Sequence, residues 1–511
     1  MNLQDRASIP IPRRASMEMN PEEFRRAGHA TVDAIADFFA GLKERPVTRS
    51  EKPSQIRAAL PSGGLPASGS SAEALLEDAA RLLFEHSLFN GHPRFFGYIT
   101  SSATPIGALA DLLAGSVNPN CGGWTLSPIA SEIERQTIAW IAELLSYPAG
   151  CGGLLVSGGN MANFVGFLAA RRARASWDIR AGGLRPGPQL TVYASAETHT
   201  WIQKAADLFG LGTSSVRWIG VDRQRRIDLA ELERRITADK AEGLAPFLAV
   251  GTAGTVEVGA IDPLPAMAEI CRRHGLWFHV DGAYGAPATC LPDAPADLKG
   301  LASADSVAID PHKWLYAPLE AGCTLVREPR HLADAFSFRP EYYHFENADG
   351  EERVNFYELG FQNSRGFRAL KVWLGLRQSG REGLARSIAD DCALARALFD
   401  AVERAEELEA KSCSLSITTF RCVPKDLRRP DRSESENSYL NDLNAEVLNR
   451  LQAGGEAFVS NAVVDGEFLL RACIVNFRTT SGDVEALASI VARLGREVDA
   501  EKRPLSAGAA R

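Results

Sequence analysis

The chain has no surplus of positive charge: over 511 residues, 56 lysines and arginines face 64 aspartates and glutamates, for a net charge of -8. That balance argues against a dedicated nucleic-acid binder and against a protein held on anionic membranes. It also lacks any stretch of about 18 uninterrupted apolar residues, so no spanning helix is expected. The first twenty residues, with two prolines and scattered charge, lack the apolar core of a signal peptide, and a cytoplasmic location is expected. Nine cysteines, an odd number, are widely scattered and form no C-x-x-C pair, which speaks against a disulfide framework or zinc site and for buried thiols. The glycine turn within Leu155 to Asn163 does not match the Rossmann, P-loop or nucleophile-elbow spacings, and no internal repeat is seen.

What is present is an ordinary globular composition, 45% hydrophobic and 23% charged, in a chain too long for one compact domain. From Pro21 to about Leu42, Phe24, Ala27, Val32, Ile35, Phe38 and Phe39 recur at helical spacing, with Asn20 as N-cap. Leu60 to Ser71 is rich in Pro, Gly and Ser and reads as a linker, after which Leu75, Leu76, Ala79, Leu82, Leu83 and Phe84 resume a helix. The middle third alternates short apolar runs with longer helical patterns, the signature of a parallel sheet covered by helices. The expected strands are Leu190 to Ala194, Phe247 to Gly251, Leu276 to Val280, Ser306 to Ile309 and Cys323 to Val326. Helices are expected over Asp228 to Ile236, Pro263 to His274 and Phe367 to Leu376. The resulting division is an N-terminal helical arm (1–85), a large α/β domain (86–390), a small α+β domain (391–500) and a disordered tail (501–511).

Three polar features fall just past expected strands, where open α/β sheets bind ligands. Asp281 follows the apolar run Phe278-His279-Val280 and is either a cap for the next turn or a ligand for a positive group. Lys313, in Asp310-Pro311-His312-Lys313-Trp314, is either structural or a desolvated amine of lowered pKa able to form a Schiff base. Ser157-Gly158-Gly159-Asn160 opens a helix and either uses glycine for a left-handed turn or offers N–H groups to a phosphate. One small molecule requires all three: pyridoxal phosphate needs a lysine for its aldehyde, an acid for its ring nitrogen and an anion cradle.

With those motifs in view, the chain resembles the group II pyridoxal-phosphate decarboxylases, the family of aromatic L-amino acid, histidine and glutamate decarboxylases, over about residues 20 to 490. Asp310-Pro311-His312-Lys313-Trp314 carries the resemblance most specifically. His279 to Tyr284, Ala196 to His199, His92 to Tyr98 and Glu22 to His29 support it, the last two pointing to the aromatic branch. The resemblance implies a fold type I enzyme with a mainly parallel sheet flanked by helices. It makes Lys313 the Schiff-base lysine, Asp281 the partner of the pyridine nitrogen, and Ala283 and His199 the neighbours of the two ring faces. Gly159, Asn160, Asp310 and His312 would serve the phosphate. Val256, in Gly254-Thr255-Val256-Glu257, stands where the family carries a threonine that meets the cofactor's ring hydroxyl.

The same resemblance makes Tyr342 the proton donor, on a loop that the polar run Glu346 to Glu352 marks as mobile. Tyr98, Ile99, Ser101 and Trp314 would shape the substrate pocket, with Gly122 leaving room for an indole. The implied activity is decarboxylation of an L-amino acid, aromatic in the first place, by a homodimer with its site at the interface and no metal. Glutamate-, aspartate- or histidine-like substrates, or oxidative deamination to an aldehyde, are the alternatives. A non-catalytic scaffold would not need both Lys313 and Asp281.

Overall fold

β-Branched and aromatic residues in short apolar runs become strands here, because both faces of the sheet they enter are covered. A computed structural model describes residues 17–185, 187–338, 350–351 and 353–503. Its strands are β1 (Phe95–Phe96), β2 (Gly152–Val156), β3 (Leu190–Ser195), β4 (Val216–Ile219), β5 (Ala245–Thr252) and β6 (Trp277–Asp281). They continue with β7 (Ser306–Ile309), β8 (Gly322–Val326), β9 (Leu408–Ser414), β10 (Ile417–Cys422), β11 (Phe458–Val464) and β12 (Glu467–Cys473). All five expected strands are present, to within two residues at either end.

The first seven strands after β1 form one sheet in the order β2-β8-β7-β6-β5-β3-β4. From β7 through β4 every pairing is parallel, and β8 runs antiparallel to both of its neighbours. Parallel neighbours require crossovers, supplied by helices such as Trp201–Leu208, Leu229–Ala241 and Leu264–His274. Asp228 caps the second of these by accepting from Ala230 and Glu231 N–H at 2.9 and 3.0 Å. Val192, Leu248, Val250, Phe278 and Val307 are fully or almost fully buried in this core. Each such side chain contributes about 1.5–3 kcal/mol by leaving water.

The second sheet, β1-β11-β12-β10-β9, is antiparallel except where β1 joins β11 in parallel. Its core gathers Phe96, Leu398, Phe420, Leu443, Leu470 and Val491. The helix Ala369–Arg404 packs on both regions and is interrupted at Gly380, whose φ of 63° a side chain would strain. It passes through residue 390 unbroken, and the last helix, Ser481–Lys502, extends beyond residue 500.

Residues up to Leu88 form a separate unit. Asn20 caps the helix Pro21–Ala40 by accepting from the N–H groups of Glu22 and Glu23 at 3.1 and 2.9 Å. Phe38 stacks on Phe84 of the helix Ala72–His86 at 4.5 Å, and residues 60–71 between the helices are largely exposed, as their composition implies. All nine cysteines are free thiols. Among the described residues no helix is long and apolar enough to cross a membrane.

Candidate active site

β5, β6 and β7 end side by side, with Thr252 in register with Asp281 and Asp281 with Ala308. The polar residues at or just after these ends therefore converge on one edge of the sheet. Asp281 is buried. Its Oδ1 accepts from Ala283 N–H at 3.1 Å and its Oδ2 from the indole N–H of Trp201 at 2.8 Å. It is thus a cap, yet its carboxylate also lines the main cavity, and the two readings coexist. Trp201 escaped the sequence reading, because nothing local ties it to a strand 80 residues away.

Lys313 sits in a tight turn after β7, its N–H on Asp310 O at 2.8 Å and its Nζ 3.0 Å from Asp310 Oδ2. The lowered amine pKa expected from desolvation is corrected here. Burial does pull the amine down, but the carboxylates of Asp310 and Asp281 outweigh it and hold the amine above its ordinary value. His312 donates from Nδ1 to Ala321 O at 2.6 Å, and burial pushes its imidazole below the usual histidine range.

The glycine turn lies across from this lysine. Gly158 has φ 136°, and a Cβ on Gly159 would stand 2.7 Å from Asp310 Oδ2, so glycine is required for the helix Gly159–Arg174 to start there. A chain of bonds ties this turn to β6. Asn163 donates to Gly159 O at 2.9 Å and accepts from His279 Nε2 at 2.7 Å. His279 Nδ1 accepts from Ser306 Oγ at 2.7 Å, which in turn accepts from Trp277 Nε1 at 2.8 Å. This arrangement leaves the imidazole neutral, and burial pushes it down to about 4. His279 enters the sequence reading only as the first residue of the motif ending at Tyr284, and its bond to Asn163, 116 residues away, has no local signal.

These elements enclose a cavity of about 440 Å³. Lys313, Asp281, His199, Gly159, Asn160 and Ala283 line it, as do Asp310, His312 and Ile99. His199 stands at its rim, where burial lowers its imidazole against the opposing pull of Asp281. Glu197, also on the lining, is ion-paired to Arg225, and burial together with Glu197 pushes the Glu257 carboxyl up to about 7.

Three expected pocket residues are elsewhere. Trp314 is fully buried, with its indole N–H on Asp391 at 2.8 Å and its ring stacked on Tyr284 at 4.7 Å, so it forms no substrate wall. Ser101 turns its hydroxyl onto His312 O at 2.8 Å and supports the lysine turn from behind. Tyr98 is 57% exposed, outside the cavity lining, with its N–H on Ser460 Oγ at 2.6 Å. Gly122 opens no space either, since the Asn363 carbonyl already occupies the place of a Cβ. Tyr342 lies outside the described residues.

The donor set fits pyridoxal phosphate. The Gly158 turn offers a helix N-terminus to an anion, Asp281 a carboxylate to a ring nitrogen, and Lys313 an amine to an aldehyde. Within the lining, Thr252 Oγ1 and Asp310 Oδ1 are buried and have no protein hydrogen-bond partner among the described residues. Val256 also lines the cavity and brings no hydroxyl to it.

Known proteins agree with this fit. The conserved domain of pyridoxal-dependent decarboxylases matches residues 53–421. An aromatic-L-amino-acid decarboxylase of Bacillus atrophaeus is 32% identical over 94% of this chain and 98% of its own length. A phenylacetaldehyde synthase of a Rosa hybrid cultivar is 29% identical over 93% of both chains. The crystal structure of Oryza sativa TDC with PLP and tryptamine superposes with a TM-score of 0.87 at 27% identity, covering 94% of this chain and 99% of that one. The chain belongs to the pyridoxal-dependent decarboxylases, and its cofactor is pyridoxal 5'-phosphate.

Proposed function

We propose that this enzyme decarboxylates an aromatic L-amino acid to its amine. The observation that carries the reading is one cavity holding both Lys313 and Asp281, with Ile99, Met161 and Phe164 as its apolar part. An acidic substrate side chain would call for an arginine, and none is among the described lining residues, whereas Glu197 is.

Pyridoxal phosphate, when bound, supplies the electron sink into which the bond to the departing carboxylate collapses. Lys313 tethers it through the amine. Asp281, oriented by Trp201, holds a proton at the pyridine nitrogen, and the Gly159 turn holds the phosphate. His199 at the rim, with its lowered pKa, is a neutral imidazole that can take up and return a proton. Tyr342, by its place in the family motif, is the acid that delivers a proton to the α-carbon. We assign the protein to the cytoplasm as a homodimer with the site at its interface. Leu109, Leu112, Leu113 and Val117, exposed along the helix Pro105–Val117, with Leu126 and Ile129 nearby in sequence, support a covered face there.

The test is product release from each common L-amino acid, with amine, aldehyde and ammonia measured together. Amine from aromatic substrates is expected; aldehyde as the main product would assign the chain to the chemistry named for its Rosa relative.

A further inference from the structure

We propose that Asp391, which is not among the residues lining the cavity, is a positioning residue that holds the Lys313 turn in register with Asp281. This rests on the reading of Lys313 as the cofactor-bearing lysine.

The turn that presents Lys313 closes with Tyr316 N–H on Lys313 O at 3.0 Å and Ala317 N–H on Pro311 O at 3.1 Å. Tyr316 has φ 53°, a left-handed conformation unfavourable for a bulky side chain, so something outside the turn must hold it. A single carboxylate oxygen does so. Asp391 Oδ2 accepts from the hydroxyl of Tyr316 at 2.7 Å and from the indole N–H of Trp314 at 2.8 Å, clamping the residues one and three places after Lys313. The carboxylate also accepts from the backbone N–H of Asn476, and it is 2% exposed. Its own position is set by the helix Ala369–Arg404, which packs across both sheets.

The clamp continues to the other side of the site. Trp314 stacks on Tyr284 with ring centroids 4.7 Å apart and planes 24° from parallel. Tyr284 lies three residues after Asp281, directly beyond the Ala283 N–H that the Asp281 carboxylate accepts. Its hydroxyl is fixed in turn by Ser416, which donates its N–H at 3.0 Å and shares a 2.7 Å contact through Oγ. Asp391 is therefore bonded to the lysine turn, and the lysine turn is stacked on the acid turn. The β6–β7 pairing and the bonds of Gly282 N–H to Ala308 O at 2.9 Å and Asp310 N–H to Ala283 O at 3.2 Å join the two turns at their bases, and the stack holds them together beyond the strand ends.

Asp391→Asn keeps the size but replaces one acceptor oxygen with an NH2 donor, leaving a single oxygen for the three donors of Tyr316, Trp314 and Asn476. A shift of the amine by a fraction of an ångström out of line with the ring lowers the chemical step without altering substrate capture. We expect kcat to fall about tenfold with KM within about twofold, and the pH midpoint of the lysine-bound cofactor's absorbance to move. Should that variant fail to fold, Tyr316→Phe removes one donor alone and should give the same signature at smaller size. A lowered melting temperature with unchanged kcat, KM and absorbance midpoint would overturn the proposal. Lys313→Ala, run in parallel with borohydride reduction and peptide mapping, separates the two readings. If cofactor is still fixed covalently, the lysine assignment fails; if it is not, an unchanged Asp391→Asn defeats the clamp alone.

Discussion

At the end of β6 and midway along the helix Ala369–Arg404, a buried aspartate accepts an indole N–H at the same distance, 2.8 Å: Trp201 onto Asp281, Trp314 onto Asp391. The surroundings separate them. Asp281 stands at the carboxyl end of a parallel strand and opens on a cavity beside an amine, whereas the donors around Asp391 all come from within the protein. Burial drives the Asp391 carboxyl up to about 7 against the bonds from Tyr316 and Trp314. A buried carboxylate with a tryptophan partner is thus no mark of catalysis by itself; its place at a strand end, facing open volume, is.

Asp281→Asn should break this pair most visibly. Without the carboxylate the ring nitrogen loses its proton, and kcat should fall by roughly two orders of magnitude or more while the polypeptide still binds cofactor. That loss exceeds the tenfold expected of Asp391→Asn; equal losses, measured by steady-state kinetics, would erase the distinction drawn here.

Next in size is the phosphate turn. Asn163→Ala cuts the string from Gly159 to His279, and cofactor affinity should fall about tenfold by equilibrium titration of the apoenzyme, with the melting temperature also reduced.

Acidity sharpens the contrast further. His279 lies at about 4 when folded against an ordinary 6.5, so between those values the unfolded chain binds more protons, and its contribution to stability falls as pH drops through that window. Asp391 has the opposite sign. Its folded value of about 7 exceeds the ordinary 3.8, so its contribution falls as pH rises between them. Between pH 4 and 7 the melting temperature of Asp391→Asn should therefore fall more steeply toward acid than that of the parent, because the opposing Asp391 contribution is gone.

The smallest effect is reserved for Val256→Thr, which puts a hydroxyl back on the cavity lining. One exposed hydrogen bond is worth little, and cofactor affinity should change by about threefold or less. A larger gain would show that the ring hydroxyl lacks a partner in this chain.

Sequence by itself determined the strands and the order of the chemical groups along them. A run such as Phe247 to Gly251 can bury both faces only inside a covered sheet, and residues just past such runs must gather at one edge, so Gly159, Asp281 and Lys313 are legible from sequence. The cap at Asn20 and the linker at 60–71 were legible for the same local reason. Tertiary structure alone decided which way side chains in the irregular turns point. Trp314 and Ser101, expected in the pocket, turn onto Asp391 and His312 O, in irregular segments where no periodicity predicts direction. It also decided the pKa of Lys313, which depends on the turn that folds the Asp310 carboxylate back onto the amine and on Asp281, which chain order separates but the fold places at the same site. Trp201, His279 and Asp391 belong to the same class: each acts through a partner between 27 and 80 residues away, and contact at that separation is a property of the packed core rather than of any local pattern.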